Sequence, residues 1–123
     1  MKLTVTPTEA RLLIRGYSAG RIRVGSEEYS SSIALSATEL HSDFRPQHPE
    51  AIEESDLEPI FAARPEVVVI GWAGGQIFLP AARRRWFLER GVGLEVMELG
   101  AACRTYNVLV GDERKVIAIL FPR

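Results

Sequence analysis

The chain has 123 residues, 46% hydrophobic and 25% charged, which suits one domain able to bury roughly two-thirds of its unfolded surface without a disulfide or metal staple. With 15 Lys+Arg against 16 Asp+Glu the net charge is −1, so no whole-chain field draws it to nucleic acid or to an anionic membrane. One cysteine excludes an internal disulfide and fits a reducing compartment.

The opening MKLTVTPTEA (1–10) has one lysine, then Thr and Val in alternation, and a proline at position 7. It has neither the apolar core of a secretory signal nor the Arg-rich amphipathic pattern of a transit peptide. No apolar run approaches the ~20 residues a bilayer span requires. The expectation is a cytoplasmic protein with no membrane insertion.

RLLIRG (11–16) and RIRVG (21–25) are short β-rich runs separated by the turn signal YSAG. In the second, Ile22 and Val24 alternate with Arg21 and Arg23, as a half-buried strand does. EYSSSIALS (28–36) is predicted as a third strand after a hairpin turn at Gly25–Ser26, and TELHSDF (38–44) carries a fourth. RPQHPEAIEES (45–55), with two prolines and three acids, is predicted as an exposed loop.

From there the period changes. Ser55 and Glu58 fit a capping box for a short helix ending near Ala63, which would confine Pro59 to the first turn. EVVVIG (66–71) is a continuous apolar run, the mark of a strand covered on both faces. PAARRRWFLERG (80–91) has the helix polarity of proline first and glycine last. VGLEVMEL (92–99) is the next strand, AACRTYNVLVG (101–111) a helix closed by Gly111, and RKVIAILF (114–121) the last strand.

Hairpins followed by βαβαβ predict one α/β domain over residues 1–123. Its three layers are a central mixed sheet, helices on one side and an N-terminal β-hairpin layer on the other. Right-handed crossovers make Val67–Ile70 and Leu94–Met97 parallel. The short Gly-Asp turn before the final strand suggests that this strand runs antiparallel to them.

The run VVVIG before a glycine loop, the block GVGLEVMELGAACRTYNVLVGDER and the strand KVIAILF resemble the Mth-domain family. That family includes adipogenesis-associated Mth-domain proteins and mitochondrial complex I assembly factor 3. IRGYSAGRIRVGSEEYSSSIAL looks like its opening hairpins, so the likeness spans nearly the whole chain. The resemblance implies a central mixed sheet with helices on one side, β plus α on the other, and a cleft between layers. Family members often carry Gly-Thr-Gly where this chain has Gly71-Trp72-Ala73, and a threonine where it has Leu99.

Chemistry concentrates in GAACRTYNVL (100–109). Cys103, read as lying near a helix start beside Arg104, has the setting of a reactive thiol. Neither His41 nor His48 is close in sequence to serve as its base, and Ala101, Ala102 and Cys103 equally suit close helix–sheet packing. Arg104, Thr105, Tyr106 and Asn107 either line a cleft or satisfy one another within the fold.

The loop Gly71, Trp72, Ala73, Gly74, Gly75, Gln76 follows a strand, where backbone N–H groups hold anions. It is neither a dinucleotide fingerprint nor a phosphate loop, so no cofactor is expected. ARRRW (82–86) reads as a solvated helix face rather than a nucleic-acid patch. Two histidines seven apart and one distant cysteine match no zinc spacing, so no metal is expected.

The expected site is a cleft between Gly71–Gln76 and the helix start at Gly100–Ala101. Trp72 would supply an apolar wall, and Arg104, Thr105, Tyr106 and Asn107 would face in. Its guest would be a small anionic or carbonyl-rich molecule, or a segment of a protein partner. The expected function is that of a binding or assembly-type domain. The alternative is a small enzyme working through the Cys103–Asn107 helix and the 71–76 loop.

Overall fold

The structure, a computed structural model, describes residues 2–4, 11–18, 20–75 and 77–123. Gln76, Ala19 of the YSAG turn and most of the stretch 1–10 lie outside the described residues.

Among the described residues, nine strands form two sheets. Strands β2 (Ile14–Ser18), β3 (Arg21–Val24) and β4 (Glu27–Tyr29) make an antiparallel meander in the order β2-β3-β4. Gly25–Ser26 forms its second turn, with Gly25 at φ 60, a conformation glycine adopts without penalty. The predicted alternation holds: Ile22 and Val24 are buried while Arg21 and Arg23 are exposed.

The predicted strand 28–36 is two strands in two different sheets. After β4 the chain breaks at Ser30–Ser32 and enters the main sheet as β5 (Ile33–Leu35). Buried Ser32 fixes this passage by donating its hydroxyl to the Phe44 carbonyl at 2.9 Å and to the Pro46 carbonyl. The short polar side chain satisfies backbone that no ladder reaches.

The main sheet has the order β1-β6-β5-β9-β7-β8, with β1 (Lys2–Thr4), β6 (Glu39–His41), β7 (Val67–Trp72), β8 (Gly93–Glu98) and β9 (Val116–Phe121). Strands β7 and β8 are parallel, as predicted. The antiparallel expectation for the last strand is corrected: β9 runs parallel to β7, from Val67↔Val116 to Trp72↔Phe121, and antiparallel only to β5. The reason is helix α3 (Leu99–Gly111), whose 13 residues span about 20 Å at the α-helical rise. That length carries the chain from the end of β8 back to the start of β7. The short turn after it then launches a parallel strand. All six residues of β9 are buried, as a central strand covered on both faces requires.

Helices α1 (Glu54–Ala62) and α2 (Ala81–Leu88) cover one face, where Leu57, Ile60 and Phe87 pack with Val68, Ile70, Ile117 and Ile119. On the other face lies α3, roofed by the hairpin sheet; Leu99, Ala102, Cys103, Tyr106 and Val110 meet Val69, Ala118, Leu120, Ile14, Ile22 and Val24. The third helix therefore shares its side with the hairpins.

Helix ends depart from the reading in three places. Helix α1 begins at Glu54 rather than near Ser55–Asp56, and its cap is Glu53, whose N–H donates to the Asp56 carboxylate at 2.8 Å. Pro59 consequently sits inside the helix, beyond the first turn. Helix α3 begins at Leu99, two residues early, with Glu98 as its cap, and it ends at Gly111 as expected. In the predicted loop 45–55, Pro49–Ala51 form a 3₁₀ turn and Ile52 is buried.

Candidate functional site

The end of β7 and the start of α3 do meet, and they meet in direct packing. A Cβ on Gly71 would stand 2.4 Å from the Ala102 Cβ and 3.1 Å from Leu120 Cδ2. Glycine here lets the helix lie on the strand. At Gly100 a Cβ would fall 2.4 Å from the Tyr17 hydroxyl, and at Gly74 one would fall 2.1 Å from the Trp72 ring. The space at Gly74 and Gly100 is thus taken by the chain's own aromatic side chains, while a Cβ on Gly75 would meet nothing within 4 Å. Trp72 is further held by donating Nε1–H to the Arg123 carbonyl at 2.9 Å and by an edge contact with His48 at 4.6 Å. Gly75 donates its N–H to the Trp72 carbonyl at 3.5 Å.

The positive end of α3 already has its anion. Glu98 accepts from Gly100 N–H at 2.9 Å and from Ala101 N–H at 3.0 Å. These two bonds, the Gly100 one first, hold its carboxyl below the usual carboxylate range.

Further along the helix, the polar residues tie α3 to the hairpin layer. Asn107 Oδ1 accepts from Ile14 N–H at 2.9 Å, and its Nδ2 donates to the Ile14 carbonyl at 2.8 Å. Buried Tyr106 donates its hydroxyl to the Leu12 carbonyl at 2.7 Å, and burial raises its pKa. Arg104 Nη1 donates to the Tyr17 hydroxyl at 2.9 Å, and Thr105 Oγ1 lies 3.4 Å from Met97 Sδ.

Cys103 is buried in the core between α3 and the sheet, in the second turn of α3 rather than at its start. Burial first, and Glu98 second, push its thiol up to about 12, with Arg104 opposing. His41 lines a cavity beside α1 and His48 packs on Trp72, so neither serves this thiol.

A cavity of about 310 Å³ lies on the opposite face of the sheet, between α1 and the β5–β6 pair. Its apolar wall is Ala34, Phe44, Ile60 and Ile117, and its polar rim includes Ser36, His41, Ser55 and Asp56. Three features of the sequence produce it. Ala34 is too small to reach α1. Alternation along β6 buries Leu40 on one face and turns Glu39 and His41 to the other. Pro59 has no N–H to return to the Ser55 carbonyl, which leaves an acceptor on this rim.

Arg45 locks the cavity's edge. Its Nε and Nη2 meet the two oxygens of Asp56 at 2.8 and 2.6 Å, and Nη2 also reaches the Ala51 carbonyl at 2.9 Å. This bidentate contact is the first cause of a lowered Asp56 pKa. Sequence reasoning passed over these residues because they come from β5, β6 and α1, which only the sheet order assembles. The visible signal was Pro59 inside a helical pattern together with the Glu-Leu-His alternation. Among the described residues, no group of three or more His, Cys, Asp or Glu could hold a metal ion.

A family model described as protein of unknown function (DUF498/DUF598) matches residues 14–121. The chain belongs to the DUF498/DUF598 family. The 13 kDa major membrane protein of Francisella tularensis subsp. holarctica is 30% identical over 121 residues, 98% of each chain. A crystal structure of a Bordetella parapertussis protein superposes with a TM-score of 0.84 at 32% identity, covering 95% of this chain and 100% of that one. A Bordetella pertussis protein solved by NMR and described as a Mth938-like domain gives 0.80 at 29% identity, over 99% and 92%. The DUF498/DUF598 fold is therefore the Mth938-like fold, as the sequence resemblance implied. Among the described residues, no helix is long and apolar enough to cross a membrane.

Proposed function

We propose that this DUF498/DUF598 chain is a non-catalytic binding domain whose guest occupies the cavity between α1 and the β5–β6 pair. The observation that carries this reading is the cavity itself: about 310 Å³, apolar in its floor and edged by hydrogen-bonding groups. This is the lower end of the size range of small-molecule sites. The guest is a small molecule with an apolar body and one or two polar groups. An anionic guest at the start of α3 has less in its favour, because Glu98 already supplies negative charge there. The enzyme alternative loses its principal groups to the fold: Cys103 is buried and the Asn107 amide is held by two bonds to Ile14. The buried free thiol suits a reducing compartment, and we assign the cytoplasm in the same proposal.

A fragment library screened by amide-shift NMR on the whole chain tests the reading. Hits are expected to move amides of residues 34–45 and 55–63, and Ala63→Trp at the rim should abolish them. Hits confined to 71–75 and 100–107 would relocate the site to the α3 start. A library with no hits would remove the cavity as a binding site.

A further inference from the structure

The last strand in the main sheet order, β8, is an edge. Gly93 N–H bonds the Glu66 carbonyl at 2.9 Å on the β7 side. Alternation along a strand then turns the N–H and C=O of Leu94 and Val96 outward, with no neighbouring strand among the described residues to receive them. This edge is flanked by a hollow on each face. On one face Ala81, Arg84, Arg85 and Leu88 of α2 stand across from Val92 and Leu94. On the other, Arg104, Thr105, Val108 and Leu109 of α3 form a small, largely apolar hollow, beside Met97 through the Thr105–Met97 contact. Leu88 is 78% exposed and Val108 62%. Leu88 lines the first hollow and Val108 the second.

We infer that the β8 edge receives an extended segment of a protein partner as a seventh strand of the main sheet, with alternating apolar and acidic side chains. Backbone pairing on Leu94 and Val96 supplies the affinity common to strand addition, and the two hollows read alternate side chains of the incoming strand. Charge selects the acids. Arg84, Arg85 and Arg104 border the hollows, and among the described residues none of them enters an ion pair. The acids of β8, Glu95 and Glu98, are both exposed and offset the three arginines only in part, with Glu98 acting on Arg104 while it caps α3. A second copy is the poorer occupant. Antiparallel pairing of two β8 edges keeps helices in their own layers and sets the α2 arginines of one copy against those of the other. This inference stands apart from the cavity beside α1.

The experiment selects a display library of random ten-residue peptides against the immobilised whole chain, then maps the enriched peptides by amide shifts. The expected consensus alternates apolar and acidic residues and shifts amides of 93–98. Affinity should fall at least tenfold in Arg85→Glu and in Leu88→Asp, both of which change exposed side chains only. Val96→Pro, which removes an outward N–H, should abolish binding. The inference is overturned if no peptide is enriched, if the consensus lacks acids, or if the shifts fall away from β8. Sedimentation showing a dimer that Val96→Pro dissociates would assign the edge to a second copy instead.

Discussion

Asn107 holds Ile14 by both sides of one peptide edge, accepting its N–H at 2.9 Å and donating to its carbonyl at 2.8 Å. A helix side chain thereby stands in for a missing strand next to β2, where the register shifts between Ile14 and Gly16. Asn is suited to this because its amide carries both a donor and an acceptor.

Asn107→Ala is expected to destabilise the fold by about 1–3 kcal/mol, since it strands two part-buried backbone groups of Ile14. Asn107→Asp keeps the acceptor, loses the donor, and should also destabilise. Chemical denaturation of the purified variants checks both. A change under about 0.5 kcal/mol for alanine, the range of ordinary surface substitutions, would show that the contact carries no stability.

Two glycine substitutions should behave differently although their Cβ distances are the same. Gly71→Ala drives a methyl to 2.4 Å from Ala102 Cβ and 3.1 Å from Leu120 in the packed core. It should cost about 1–3 kcal/mol through overpacking. Gly100→Ala meets the tip of Tyr17, which is 45% exposed and can swing outward at the cost of its bond from Arg104. The expected order of melting temperatures is wild type, then Gly100→Ala, then Gly71→Ala well below.

Cys103 should resist alkylation. Its thiol is buried and pushed up to about 12, so the thiolate is scarce at neutral pH. Iodoacetamide should label the native chain only at the rate of its unfolding, and labelling should become fast in denaturant. Cys103→Ala should cost about 1 kcal/mol through the small cavity left behind. Rapid labelling at neutral pH in the absence of denaturant would contradict the burial.

The Arg45–Asp56 clamp makes an acid-side contribution to stability. The Asp56 carboxyl is held below its ordinary value of 3.8, by Arg45 first and by the Glu53 N–H after it. A depressed folded pKa gives stability that is fully present above that ordinary value and is lost as the pH falls through the folded one. Arg45→Gln should therefore melt below wild type at neutral pH, and the gap should close as the pH is taken down through the acid range. A gap independent of pH would assign the effect to the Arg45–Ala51 carbonyl bond instead.

Local order was legible in the residues. The Ile22/Val24 alternation, the unbroken apolar run Val67–Ile70 and the proline–glycine polarity around α2 each follow from the period and chemistry of a few neighbours. The resemblance carried by GAACRTYNVL and its flanks identified the family and the layered fold. What neighbours in sequence do not determine is which strand lies beside which. The central place and parallel direction of β9 depend on the length of α3, and the split of 28–36 depends on Ser32 reaching the Phe44 and Pro46 carbonyls. The same limit governs the site. Tyr106 and Asn107 have the chemistry of a ligand cleft, but the N-terminal β layer descends on them and takes their hydrogen bonds, and Arg104 gives one donor to Tyr17. The cavity beside α1 exists because Ala34, His41 and Pro59, from three separate elements, come to one place. A polar side chain offers the same donors to a guest and to its own backbone, and only the tertiary structure decides which of them arrives.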